Sequence, residues 1–104
     1  ACLGAAAARL PLLLDGFIST VAALAAVRLC PGTEAALLAS HCSAEPAGKM
    51  LLDALGLSPL LCAGLRLGEG TGALAALPLF DMAMAMYGGA EFSSYGMDAY
   101  TPQN

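Results

Sequence analysis

The stretch that decides the fold is Leu10-Pro11-Leu12-Leu13-Leu14-Asp15-Gly16. A short apolar run that ends abruptly in a turn dipeptide is typical of a strand buried on both faces. The next thirteen residues, Phe17–Leu29, have the length of a helix and are closed by Pro31-Gly32. This part of the sequence therefore predicts a buried strand followed by a helix.

Two further short apolar runs lie along the chain, although the sequence shows no internal repeat. Short apolar runs occupy Glu34–Ser40 and Pro59–Leu67. The first run leads into the polar cluster Ser40–Ser43, and the second leads into the glycine-rich segment Gly68–Gly72. Both runs are predicted to be strands, because turn signals rather than helix caps bound them.

Three further segments complete the pattern: Ala5–Ala8, Pro46–Leu55 and Ala73–Tyr87 are predicted to be helical. Short buried runs that alternate with longer helices imply parallel strands joined by right-handed crossovers, with helices on both faces. The predicted fold class is therefore α/β, a three-layer α/β/α arrangement that forms a partial Rossmann-like domain. Residues 1–104 are expected to form this single partial domain, with an irregular tail over 88–104.

Composition limits the classes of function. Ala and Leu occupy 43 of 104 positions, and 12% of the residues are charged, against about 25% in ordinary soluble domains. We therefore expect a second subunit, a missing part of the polypeptide or a membrane to cover part of the surface. The longest stretches without a charge are 12 residues, whereas a membrane-spanning helix needs about 20. A net charge of -4 with four basic residues argues against nucleic-acid binding.

The four cysteines, Cys2, Cys30, Cys42 and Cys62, form no Cys-x-x-Cys pair, and the chain has one histidine. This spacing fits neither a zinc site nor a redox motif, so no metal or cofactor is expected. Buried thiols in a reducing cytosol are the simplest interpretation, and the predicted location is cytoplasmic. The first residues show no basic export signal. We expect the helix around Ala5–Ala8 to be continued from an upstream part of the domain.

The three polar segments each follow a predicted strand and precede a predicted helix. In a parallel sheet such segments lie at the carboxyl edge, where α/β proteins form their ligand crevice. Gly68–Gly72 has the form of an anion-binding loop at a helix N-terminus, although its glycines are equally explained by a tight turn. Gly70, Gly72 and Ala75 also satisfy G-x-G-x-x-A, but the segment lies too late in the chain for a dinucleotide fingerprint.

Three side chains near this edge are candidates for function. Glu69 is the best general-base candidate, since burial would raise its pKa while a helix N-terminus would lower it. Its alternative role is that of an acidic residue at a helix start. Ser43 could cap the helix at Pro46 or bind a phosphate oxygen, and the cap is the simpler interpretation. His41 is more readily a structural histidine than a catalyst, and the methionines at 82, 84 and 86 are expected to pack.

Taken together, four blocks of the sequence resemble one family. They are residues 14–18 (LDGFI), 39–46 (ASHCSAEP), 52–57 (L-x-ALGL) and 65–73 (LRLGEGTGA), supported by Ala90-x-Phe92 in the tail. They resemble the nicotinate-nucleotide:dimethylbenzimidazole phosphoribosyltransferases of the cobalamin lower-ligand pathway. The chain is similar to about the C-terminal third of a member. It departs from the pattern at Cys42, where members usually carry Arg, and at Ala47-Gly48, where they carry Gly-His.

The resemblance implies a reaction and a set of site residues. Dimethylbenzimidazole attacks the anomeric carbon of nicotinate mononucleotide, nicotinate leaves, and alpha-ribazole phosphate forms. By this resemblance Glu69 is the general base, Ser43 and Gly16 lie at the phosphate, and Leu67 lines the benzimidazole pocket. Gly68 and Gly70 are also expected to contact substrate. The alternative is a non-catalytic remnant or assembly module, and either role predicts a homo-oligomer or a partner that supplies the missing N-terminal part.

Overall fold

The computed structural model describes residues 1–66, 68–89, 96 and 101–102. Apart from the third predicted strand, its elements follow the predicted order of helices and strands along the chain. They are α1 (Cys2–Ala7), β1 (Leu12–Leu14), α2 (Phe17–Leu29), a 3-10 turn (Thr33–Ala36), β2 (Leu37–Ala39), α3 (Pro46–Leu55) and α4 (Thr71–Tyr87). Most of the predicted irregular tail, including Ala90 and Phe92, lies outside the described residues.

β1 and β2 form a parallel pair in which Leu12 is opposite Leu37 and Leu14 is opposite Ala39. The chain reaches β2 from β1 through α2, which is the connection that parallel strands require. A mixed α/β fold with parallel strands is therefore confirmed. The strand positions of the second run differ in detail, because its first part forms the 3-10 turn before β2 begins.

The prediction of a third strand over Pro59–Leu67 is wrong for the residues that the structure describes there. This segment is reduced to one parallel bridge, in which Leu61 donates to Ser40 O at 2.9 Å and accepts from Cys42 N at 3.1 Å. Pro59 has no N–H to donate, and Gly64 has φ +63, which takes the backbone out of the extended region. The run therefore follows β2, with one more backbone bond from Ala44 N to Leu65 O at 3.3 Å, but it forms no regular third strand among the described residues.

The core lies between β1, β2 and the helices that cover them. Its buried members are Cys2, Leu14, Ala23, Ala26, Leu37 and Leu55. The expectation of four buried cysteines is wrong for Cys30 and Cys62, which are exposed, and Cys42 is half-buried. Cys30 follows the last residue of α2 and Cys62 follows the bridge, so both lie where the chain leaves the packed elements.

α4 is apolar around its whole circumference but is packed along little of its length. Its buried residues are Gly72 and Ala76, both in the first two turns. The large apolar side chains of α4 that are exposed are Leu74, Leu77, Leu79, Met82, Met84, Met86 and Tyr87. The expectation that the methionines pack is therefore wrong within this chain. None of the described helices is long and apolar enough to cross a membrane.

Candidate active site

The three polar segments meet at one cavity of about 450 Å³, as the sequence predicts. This volume is in the range of small-molecule sites. The residues that carry polar or backbone groups into it include Asp15, Gly16, His41, Ser43, Gly68 and Glu69. The end of β1, the residues after β2 and the loop before α4 therefore border a common cleft.

The N-terminus of α4 is capped by a residue from the other end of the chain. The carboxylate of Asp15 accepts a hydrogen bond from Gly70 N at 3.0 Å and another from Ala73 N at 3.0 Å. Both amides belong to the start of the helix, where N–H groups have no partner within it and the helix dipole favours negative charge. Asp15 thus serves as the cap that Gly70, which has no side chain, cannot supply.

This cap changes the interpretation of the glycine-rich segment as an anion site. Gly68–Gly72 has the expected turn, with Gly70 at φ +82, but its Gly70 amide and the amide of the adjacent Ala73 are already bound to Asp15. The start of α2 is different, because its N-cap is Gly16 and provides no side-chain acceptor. Gly16 and Phe17 line the cavity, so the amides of α2 are the better placed to meet an anion there.

Glu69 lies on the cavity wall in an unusual backbone conformation. Its φ is +65, in the left-handed region that residues with a Cβ rarely adopt, and it stands between Gly68 and Gly70. The side chain is exposed, so the burial considered from the sequence does not occur. Asp15 rather than Glu69 interacts with the start of α4. The Glu69 carboxylate therefore borders the cavity without being used as a cap.

Ser40 and His41 link the end of β1 to the start of α4. Ser40 is fully buried, and its hydroxyl donates to Leu14 O at 2.5 Å and lies 3.0 Å from His41 Nδ1. The His41 ring in turn rests on Gly72, where an added Cβ would overlap Nδ1 and Cε1. Gly72 is therefore required by close packing rather than by its backbone angles.

Ser43 does not cap α3, and that prediction is wrong. The N-cap of α3 is Glu45, and the Ser43 hydroxyl instead accepts from Glu45 N at 3.4 Å, two residues along the chain. Pro46 at the first turn already lacks an N–H, so fewer amides need a cap. Ser43 and Arg66 line both this cavity and an adjoining one. Arg66 is the cationic side chain among the described residues lining the cavity at the strand ends.

The remaining predicted site residues are Gly68, Gly70 and Leu67. Gly68 lines the cavity, and Gly70 gives its N–H to Asp15. Leu67 lies outside the described residues. Sequence reasoning missed the carboxylate of Asp15 and the side chain of Arg66, and the only signal for the former was an acid at a strand end.

Parallel strands, an uncapped helix start and a free carboxylate around one cavity define an α/β protein with a ligand crevice at its strand ends. A family model described as phosphoribosyltransferase matches residues 1–96. The chain belongs to this phosphoribosyltransferase family.

Named relatives carry the same description in more detail. The nicotinate-nucleotide–dimethylbenzimidazole phosphoribosyltransferase of Acetivibrio thermocellus is 47% identical over 102 residues, covering 97% of this chain and 29% of the relative. The enzyme of Pseudomonas putida is 56% identical over 88 residues, covering 85% of this chain and 25% of the relative. A solved structure of such an enzyme from Thermus thermophilus matches with a TM-score of 0.86 and 44% identity. The match covers 95% of this chain and 30% of that structure's chain. The chain thus spans under a third of the length of these relatives.

Proposed function

We propose that this chain contributes the general-base part of a site that transfers a phosphoribosyl group from nicotinate mononucleotide to dimethylbenzimidazole. The products are alpha-ribazole phosphate and nicotinate. The observation that carries the proposal is the exposed carboxylate of Glu69 on a cavity that is also lined by the uncapped start of α2. The names of the relatives support this choice of substrates.

In the proposed reaction Glu69 takes the proton from the N–H of dimethylbenzimidazole. The other ring nitrogen then uses its electron pair to form a bond to the anomeric carbon of the ribosyl group. The bond from that carbon to the nicotinate nitrogen breaks, and its electron pair returns to the nicotinate ring. A base in position at the moment of attack raises the rate because no free hydroxide is needed.

The nucleotide phosphate is proposed to lie against Gly16 and Ser43. Gly16 opens α2, whose first amides favour a negative charge, and the Ser43 hydroxyl retains its hydrogen for donation. Arg66 lines the cavity on the Ser43 side and adds the positive charge that a phosphate dianion requires. Leu67, Gly68 and Gly70 complete the proposed substrate contacts, with Leu67 against the benzimidazole.

The chain is proposed to act as one partial α/β domain, the C-terminal part of the catalytic domain, in the cytoplasm. A second copy, or a partner that supplies the remaining part of the family fold, would cover the apolar side chains exposed along α4. Exposed apolar surface of this kind marks association sites in soluble proteins. The coverage of 25–30% of the relatives supports the need for further contacts to the substrates.

The test is release of nicotinate from nicotinate mononucleotide in the presence of dimethylbenzimidazole, on this chain and on Glu69→Gln. Release that falls at least 100-fold in the variant is expected of a general base, whose contribution is about 10²–10⁴-fold. Unchanged release in the variant would exclude Glu69 as the base. No release from the unmodified chain would favour the alternative, a non-catalytic remnant or assembly module of this family.

A further inference from the structure

The imidazole of His41 is nearly sealed into the protein, yet it belongs to the wall of the cavity. The residue is 4% exposed, and it lies among the residues that line the space between Ser43 and Glu69. A polar ring in such a position must be satisfied by hydrogen bonds or face a ligand. The proposed reaction gives this side chain no role.

The hydrogen bonds around Ser40 fix which ring nitrogen of His41 carries the proton. The Ser40 hydroxyl has one hydrogen, and at 2.5 Å from Leu14 O it can only donate, because a carbonyl oxygen is an acceptor. Asp15 O, at 3.2 Å, is also a carbonyl, so sharing that hydrogen does not alter the result. Toward His41 Nδ1, 3.0 Å away, the hydroxyl oxygen must therefore accept, which places the proton on Nδ1.

The other nitrogen, Nε2, is then an unprotonated acceptor in the neutral ring. Within the described residues, the ring makes its hydrogen bond to Ser40 through Nδ1. Among those same residues, no buried side-chain nitrogen or oxygen lacks a partner, so Nε2 is not sealed off. Gly72 packs against the Nδ1 and Cε1 side of the ring. Nε2 therefore forms part of the small exposed surface of His41, a residue that lines the cavity.

A fixed acceptor of this kind selects a ligand with a hydrogen to donate. Phosphate oxygens offer none when ionised, so an anion is a poor match for a neutral Nε2. A hydroxyl is the natural partner, and a ribosyl group carries two. His41 lies two residues from Ser43, the proposed phosphate contact, and on the same cavity as Glu69, the proposed base. The ribosyl ring joins the phosphate to the anomeric carbon and so lies between those two points.

We propose that His41 is a further substrate-binding residue of this site, and that its Nε2 accepts a hydrogen bond from a hydroxyl of the ribosyl group. Ser40 acts as a positioning residue, since it holds the tautomer in which Nε2 is the acceptor. The proposal rests on the proposed function for the identity of the ligand.

The experiment compares binding of nicotinate mononucleotide with that of its 2′-deoxy and 3′-deoxy analogues by calorimetry on the full chain. One deoxy analogue is expected to bind about 3- to 10-fold more weakly, the value of one hydrogen bond. His41→Asn keeps a nitrogen near Nδ1 but removes Nε2. In this variant nicotinate mononucleotide should bind as weakly as the affected deoxy analogue does, so the difference in affinity between the two ligands should vanish.

His41→Gln is the matched variant, because its amide reaches the position of Nε2 and can restore part of the discrimination. Equal discrimination in the unmodified chain and His41→Asn would overturn the proposal. So would a loss confined to dimethylbenzimidazole, or a nitrogen NMR spectrum of the neutral ring with the proton on Nε2. Binding that depends on a ribosyl hydroxyl, without any release of nicotinate, would support the role of His41 in binding and would overturn the proposed transfer reaction. Absence of nucleotide binding would overturn both.

Discussion

The carboxylate of Asp15 lies 3.0 Å from the backbone nitrogen of Gly70, although the two residues are 55 positions apart. Its second oxygen lies 3.0 Å from Ala73 N. This pair of bonds fastens the loop before α4 to the end of β1. Since Glu69 immediately precedes Gly70, the position of the proposed base depends on Asp15, the residue that follows β1.

Removing the Asp15 cap is expected to destabilise the fold. Asp15→Ala leaves two helix-start amides unpaired and should lower the free energy of unfolding by about 1–2 kcal/mol, as loss of a helix cap does. Urea denaturation measures the change, and amide exchange should speed up at Gly70 and Ala73. Equal exchange rates at these two amides in both proteins would contradict the cap.

Asp53→Ala is the matched control for the loss of a carboxylate. Asp53 accepts a hydrogen bond from Lys49 at 2.9 Å on the surface of α3, and this bond together with the charge of Asp53 raises the pKa of Lys49. The pair therefore contributes below the pKa of Lys49 and is lost as the pH rises through it. Because both side chains are exposed and screened by water, we expect the urea midpoint at neutral pH to stay nearly unchanged.

Gly72→Ala should be far more costly than an ordinary helix substitution. The new methyl group would overlap the His41 ring, whose Nδ1 is also held by the hydroxyl of Ser40. Overpacking of this kind costs about 1–3 kcal/mol. Gly4→Ala in α1 is the control, since an added Cβ meets nothing within 4 Å and alanine should stabilise the helix. A smaller loss at Gly72 than at Gly4 would show that the ring moves freely.

Glu69 is predicted to trade stability for function. Glu69→Gly removes the strain of a left-handed backbone, which costs the folded state about 1–2 kcal/mol. The greater flexibility of glycine in the unfolded chain offsets about 0.5–1 kcal/mol of this gain in stability. We therefore expect Glu69→Gly to unfold at higher urea than Glu69→Gln, while neither supports nicotinate release. Arg9→Gly is the control, because Arg9 has φ +54 and lies away from the cavity at the strand ends. Identical midpoints for the two Glu69 variants would mean that no strain is stored there.

Association through α4 is expected at micromolar concentration. Met82 and Met86 are 63% and 80% exposed, so replacing both by Gln should reduce the mass measured by light scattering toward that of one chain. Met50→Gln is the control, because Met50 is 71% exposed on α3, next to the charged Lys49. If the unmodified chain is a monomer at this concentration, the homo-oligomer is excluded. A different partner that completes the fold would then be the remaining explanation for the exposed face of α4.

Local signals were sufficient to predict the helices that turn residues delimit. α2 and α3 have the predicted bounds. For α3 the reason is visible, with Pro46 in its first turn and Gly56 at φ +67 after its last residue. These residues restrict their own backbone, so their effect can be read without knowing what they contact.

Contacts between distant segments could not be predicted in the same way. Asp15 was recognised as part of a turn, but its use as the cap of α4 depends on the meeting of segments 55 residues apart. The third strand was overestimated because its pairing depends on what lies beside it rather than on its apolar composition. Ser43 was expected to cap α3, yet the chain turns so that its hydroxyl meets Glu45 N instead.

The left-handed backbone at Glu69 has a consequence for how such a site evolves. Selection for folding alone favours glycine at this position, and selection for proton transfer alone favours a carboxylate. Copies of the domain released from catalysis would therefore drift toward glycine or asparagine at 69 without losing the fold. The residue found there distinguishes a lineage still under selection for chemistry from one that keeps the scaffold for another use.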